Sequence, residues 1–144
     1  MSSVTTNLQT GNQLVNTYDF SKIFLFDNKY RKVNIANATG SSFVLVAGTV
    51  IGCVGITHAP YDADTANQLP VGILAEDITI LTGTNADVTI CNGGKVAEEK
   101  VVFFDTDDTL AGIVSNRSIR DMLISNTLGL ELVTTDELTA QDNI

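Results

Sequence analysis

Val44-Leu-Val-Ala-Gly-Thr-Val-Ile-Gly-Cys-Val-Gly-Ile56 is the longest apolar run in the chain, and it restricts the possible folds more than any other stretch. β-branched residues are prominent in it, and their side chains suit a pleated surface but are cramped in a helix. Gly48, Gly52 and Gly55 interrupt the run. Glycines in such a place mark a bulge, a sharp bend or the close approach of another backbone. Both alternating sets, Val44/Val46/Val50/Val54 and Leu45/Ile51/Cys53, are apolar. The run is therefore either buried on both faces or bends midway and changes partners. It is read as the central strand pair of a small β-rich domain.

A chain of 144 residues is long enough to bury a real core as one domain. Seventeen Asp and Glu against eight Lys and Arg leave a formal net charge of -9. That balance argues against a surface built to hold nucleic acid, which needs a basic footprint. It suits solubility, or docking onto a neutral or basic protein surface. Cys53 and Cys91 lie in apolar, strand-like contexts without Cys-x-x-Cys spacing, and read as buried free thiols. Free thiols fit synthesis in a reducing cytoplasm. The N-terminus lacks the basic and apolar regions of a signal peptide. The apolar run is too short and too broken by glycine for the ~20 residues of a membrane span. The expectation is a soluble protein with no membrane partner.

Residues 1–19 are rich in Ser, Thr, Asn and Gln, with Val4, Leu8, Leu14 and Val15 as isolated apolar positions. They read as an extended N-terminal arm, either a frayed terminus or a segment that orders by adding a strand to a partner's sheet. Residues 20–144 read as a single β-rich domain. Lys22–Phe26 and Tyr30–Ile35 look like two strands joined by a hairpin turn at Asp27-Asn28-Lys29. Residues 37–42 form a loop. His58 to Pro70 is a long polar excursion. Val71–Leu81 is strand, polar kink at Glu76-Asp77, then strand, with Gly72 near its start, and residues 82–85 turn the chain. Val88–Cys91 is a strand, and Asn92-Gly93-Gly94 signals a hairpin returning through Lys95–Ala97. Residues 98–104 fit either a strand or a helical turn, and 105–109 form an acidic loop.

The clearest helix runs from Arg117 to Thr127. Ile119, Met122 and Leu123 share one face of it, Ser115 or Asn116 caps it, and Gly129 lies past its end. Arg117 and Asp121, four apart, are positioned to pair. Leu128–Val133 is a last strand, and a polar tail follows. Short strands divided by turn signals, with one short helix late in the chain, indicate a mainly β domain of barrel or sandwich type.

No catalytic constellation or cofactor motif stands out. The single histidine, His58, leaves no room for a multi-histidine metal site and reads as a surface or hydrogen-bonded residue. Gly48, Gly52 and Gly55 lack dinucleotide spacing, and Gly93-Gly94-Lys95 lacks the rest of a phosphate loop. Asp62 and Asp64 occupy the first acidic positions of a calcium loop, but the required glycine and bidentate glutamate do not follow. They read as a solvated loop, as do Asp105, Asp107 and Asp108. The aromatic residues, set among few basic ones, read as core or subunit packing.

Three pieces in order, Ala47-Gly-Thr-Val-Ile-Gly52, Leu69-Pro-Val-Gly-Ile-Leu-Ala-Glu-Asp77 and Val88-Thr-Ile-Cys-Asn-Gly-Gly-Lys-Val96, resemble the head decoration, or capsid cement, proteins of tailed bacteriophages. The ending, through Ile119–Leu123, Gly129–Leu132 and Leu138–Asn143, is similar as well. The resemblance implies a β-tulip type of domain, homotrimeric, bound to the outer capsid surface of a virion after synthesis in the host cytoplasm. The partner it implies is the major capsid protein, reached through the arm at Val4, Leu8, Leu14 and Val15. It gives Gly48, Gly52, Gly72, Gly93 and Gly94 structural roles, with no enzyme activity and no cofactor. The length of residues 16–42 keeps the capsid-bound base of a head fibre open as a variant. An unrelated alternative is a small-molecule or glycan-binding β-domain that uses Tyr61, Asp62 and Asp64 of the 58–70 loop.

Overall fold

The computed structural model describes residues 22–134. The arm positions Val4, Leu8, Leu14 and Val15 lie outside these residues, as does the polar tail. Ten strands and one short helix follow in order: β1 (Phe24–Ala36), β2 (Phe43–Leu45), β3 (Val50–Val54), β4 (Thr57–Pro60), β5 (Leu69–Leu74), β6 (Ile78–Ile80), β7 (Asn85–Ala97), β8 (Ile113–Val114), β9 (Arg117–Ser118), α1 (Ile119–Ser125) and β10 (Leu130–Val133). One 3₁₀ turn, Glu98–Lys100, falls between β7 and β8.

The protein is mainly β, and five strands close into a barrel in the order β1-β4-β3-β5-β7, with β1 pairing back onto β7. Closure matters because an open sheet edge presents unpaired amides and carbonyls. The long seam is antiparallel β1–β7, and the short one is a parallel contact of β1 with β4 at Ile35 and His58. β10 extends the sheet beyond β7 in parallel.

The walls β3, β5 and β7 are buried on both sides. Ile51, Leu74 and Ile90 pack with Val33, Ile35 and Val88 in one core, which is the barrel interior. Their neighbours Val50, Ile73 and Cys91 pack in a second core with Tyr61, Ile119, Met122, Leu123 and Leu130. The second core lies outside the wall, covered by α1 and β10. Alternate strand residues point to opposite faces, so a wall covered twice must be apolar at every position.

Both readings of the opening run hold at once. The run bends, and residues 49–52, just beyond the bend, are buried on both faces, whereas Val54 to Ile56 emerge into solvent. β2 pairs with β6 in a separate two-stranded ribbon, whereas β3 enters the barrel. At the corner Gly48 takes φ +100, and a Cβ there would meet the Lys100 carbonyl oxygen at 2.5 Å. The ladder carries through the corner, with Gly48 N donating to Leu74 O at 2.9 Å and Leu74 N to Thr49 O at 2.8 Å. Beyond it the Asp77 carboxylate accepts from Ala47 N at 2.8 Å, in the place of a backbone carbonyl. The polar kink at Glu76-Asp77 is the matching bend between β5 and β6.

Two expected hairpins do not exist. Residues 24–36 are one strand, and residues 85–97 are one strand paired against it. Asp27 adopts φ 54 and Gly94 φ 86, and the register shifts between Phe26 and Tyr30. These apparent turns are bulges facing each other across one ladder. Gly94 is required because a Cβ would lie 2.4 Å from the Asp27 carbonyl oxygen, and Gly93 because a Cβ would lie 2.7 Å from that of Leu128. The Asn28 amide holds the bulge, donating to Lys95 O at 3.0 Å and Gly93 O at 3.3 Å. Gly72 is packed just as closely, with a Cβ there meeting Ile90 Cδ1 at 2.8 Å.

The helix is shorter than its apolar pattern suggests, and its cap is Ser118, whose Oγ accepts from Asp121 N at 3.1 Å. Ser115 and Asn116, at φ 52 and 68, instead form the two-residue turn between β8 and β9. The Arg117 guanidinium donates to Ser125 Oγ at 2.8 Å and to the Asp121 backbone carbonyl at 3.4 Å, in place of the expected carboxylate. Arg120 pairs with Glu98 at 2.6 Å and ties α1 to the 3₁₀ turn. Among the described residues no helix is long and apolar enough to cross a membrane.

Gly94 and Gly83 test the bulge. Both have positive φ, but a Cβ at Gly83 meets open space. Gly83→Ala is expected to cost about 1 kcal/mol, the strain of a left-handed residue. Gly94→Ala adds a backbone clash and is expected to cost at least ~3 kcal/mol. Urea denaturation of the two variants measures the difference, and equal losses would remove the close-approach explanation.

Candidate functional site

The 58–70 excursion is shorter than its composition suggests, because Thr57–Pro60 forms β4 and Leu69 begins β5. Residues 61–68 loop between them and are fastened across β3. Gln68 is buried, and its Oε1 accepts from Asp62 N at 2.7 Å. Gly52 makes room for that latch, since a Cβ there would lie 2.7 Å from the Gln68 side chain. Tyr61, expected as an exposed ligand contact, is 1 % exposed. Its ring packs edge-on to Phe103 with centroids 6.3 Å apart. A ring so enclosed cannot stack on a sugar, and the glycan reading of this loop loses its central residue.

The Tyr61 hydroxyl has no hydrogen-bond partner. Burial pushes its pKa up, and the charges of Asp108 and Asp62 push it further. The hydroxyl therefore lies in the field of two carboxylates from different loops. The fold unites what looked like two separate acidic loops, since one carboxylate oxygen from each of Asp62, Asp105 and Asp108 falls within 4.8 Å of the others. All three residues are half-buried. Ala63 N donates to Asp108 Oδ2 at 3.0 Å, Asp64 N to Asp62 Oδ1 at 2.9 Å, and Asp107 N to Asp105 Oδ1 at 3.0 Å. Desolvation raises the Asp108 pKa above its usual value, and Asp105, Asp62 and Asp64 raise it further against the lowering bond from Ala63. Beside the cluster, an open recess of about 460 Å³ is lined by Glu98, Glu99, Phe103, Asp108 and Leu110, among others.

His58 is half-buried on β4, with its Nε2 3.4 Å from the Arg31 guanidinium. Burial lowers its pKa, the Arg31 charge lowers it further, and a backbone bond with Ile56 opposes both. Cys53 and Cys91 are free thiols, Cys91 buried and Cys53 half-buried.

Exposed apolar side chains gather at two features. The β3–β4 turn places Gly55 at φ 63 and Ile56 at its tip, 94 % exposed, and Val54 at the end of β3 and Leu69, paired with Cys53 at the start of β5, are also exposed at this end of the strands. The outer face of the β2–β6 ribbon carries Val44, Val46 and Leu81, all exposed. Sequence reasoning placed Val44 and Val54 in the core because it could not tell which end of a strand protrudes.

The chain matches no protein-family model, and no curated protein sequence matches it.

The acidic cluster has a signed pH signature. Folding raises the Asp108 pKa, so its contribution to stability is present below its unfolded pKa and is lost as pH rises through its folded one. In the presence of chelator, Asp108→Asn is expected to raise the melting temperature at neutral pH by about 2 °C, with the gain shrinking in acid. Calorimetry across the carboxylate range checks this. A loss of stability at every pH would contradict it.

Proposed function

We propose that this protein is a structural virion component that docks on the outer surface of a tailed-phage capsid and ties neighbouring major capsid protein subunits together as a homotrimer. The reading rests on the ordered resemblance at residues 47–52, 69–77 and 88–96, and on one structural observation. Ile56 stands at a hairpin tip, almost wholly exposed, on an acidic protein. The second position of such a turn carries no structural need for a large apolar side chain. Leaving a large apolar side chain in water costs roughly 25 cal/mol per Å² of apolar surface, and a partner that covers it removes that cost.

Clamping of this kind needs no reactive group. Each trimer engages several coat subunits at once, and linked weak contacts gain strength through effective concentration. The N-terminal arm adds a second contact by pairing with a coat-protein strand. The closed five-strand barrel supplies a rigid body to carry both contacts.

Co-sedimentation with expanded and immature heads tests the proposal. Ile56→Glu is expected to keep the wild-type melting temperature and weaken binding to expanded heads at least about tenfold, the ~1.4 kcal/mol of a lost apolar anchor. Deleting residues 1–15 is expected to leave the barrel folded and abolish binding. Wild-type affinity in both variants would refute the docking assignment.

A further inference from the structure

We propose that Asp62, Asp105 and Asp108 form a calcium site that clips the 61–68 loop to the 105–109 loop. The proposal stands independently of the capsid reading and follows from the cluster's geometry, its charge and one orphaned atom.

The three carboxylate oxygens lie within 4.8 Å of one another. Oxygens that close can bind one cation together. Calcium accepts several protein carboxylates in flexible geometry at about 2.3–2.6 Å, whereas magnesium demands near-ideal octahedral geometry, keeps most of its waters and takes only one or two carboxylates. Three carboxylates carried on two loops suit calcium. All three ligands are hard oxygen donors, and neither His58 nor either cysteine belongs to the group, which disfavours zinc and copper.

Among the described residues no lysine or arginine pairs with these aspartates: Lys29, Lys95 and Arg120 end instead on Asp27, Glu131 and Glu98. Asp64 and Asp107 add negative charge close by. Three half-buried carboxylates this close repel one another, and a divalent cation removes that cost.

The orphaned atom is independent of the acidic cluster. Tyr61 is 1 % exposed and its hydroxyl is buried without a partner. Buried polar groups are almost always hydrogen-bonded, so this one calls for an explanation. Tyr61 directly precedes Asp62, its ring packs against Phe103 two residues before Asp105, and Ala63 bonds to Asp108, so the ring lies between the two loops that carry the cluster. A water on the ion can donate to the phenol oxygen and satisfy it. The backbone amides of Ala63, Asp64 and Asp107 hold the carboxylates in place before the ion arrives.

Thermal denaturation of the full chain in chelator, in millimolar calcium chloride and in equal magnesium chloride tests the site. With a dissociation constant on the order of 10⁻⁴ M, calcium is expected to raise the melting temperature by about 5 °C, and magnesium clearly less. Asp105→Asn is expected to abolish the calcium response. A second measurement does not depend on that variant folding. The protein has no tryptophan, so a bound terbium ion can be sensitised only by tyrosine. Tyrosine excitation of the wild type with terbium is expected to give sensitised emission that calcium displaces, and Tyr61→Phe is expected to abolish the emission while keeping the calcium-induced shift. Equal shifts with calcium and magnesium, a full response in Asp105→Asn, or terbium emission that survives in Tyr61→Phe would each overturn the proposal.

Discussion

The ladder between β1 and β7 is the interaction on which the rest of the structure depends. It joins the two longest strands along most of their length and closes the barrel. Without it β1 would keep only its single parallel contact with β4, and β7 would present a free edge. The interior core also draws Val33 and Ile35 from one side of the seam and Val88 and Ile90 from the other. The ladder is regular from Tyr30 to Ala36 and irregular before Tyr30. The irregular part survives because Gly94 lets the Asp27 backbone pass and Asn28 bonds to the carbonyls on the far side.

The second dependence is on a wall covered twice. Val50 and Ile51, Ile73 and Leu74, and Ile90 and Cys91 each send one side chain inward and one outward into separate cores. Such strands cannot alternate apolar with polar. The barrel can thus be only five strands around and still hold a helix, a sixth strand and the Tyr61 loop against its outside. Gly52 and Gly72 belong to the same economy of space, since each leaves room for a neighbour to lie directly against the wall.

The sequence pattern carried the fold class well. β-branched runs, the alternation in residues 44–56, the kink at Glu76-Asp77 and the apolar face of Ile119, Met122 and Leu123 reappear as strands, corner and helix. The failures share a cause. Asp27-Asn28-Lys29 and Asn92-Gly93-Gly94 each carry the local chemistry of a turn, and nothing within either stretch shows that the other lies opposite it. Positive φ serves a hairpin and a bulge equally, and only the long-range pairing decides between them. The acidic cluster was hidden in the same way. Asp62 and Asp108 each sit in a polar loop that looks solvated, and the bond from Ala63 to Asp108 that joins the loops spans 45 positions of sequence. Tyr61 was misjudged because its polar neighbours concealed a core residue. The exposed tip at Ile56 was concealed by the apolar run that leads into it.

The corner at Gly48 has a mechanical meaning. Both strands of the outer ribbon run without a break in the chain into neighbouring wall strands, β2 into β3 and β6 from β5, with hydrogen bonds on both sides of the bend. A load applied to Val44, Val46 or Leu81 therefore passes into two adjacent staves of the barrel at the same end of their shared ladder. The ribbon is thus a short beam rooted in the barrel wall at two points.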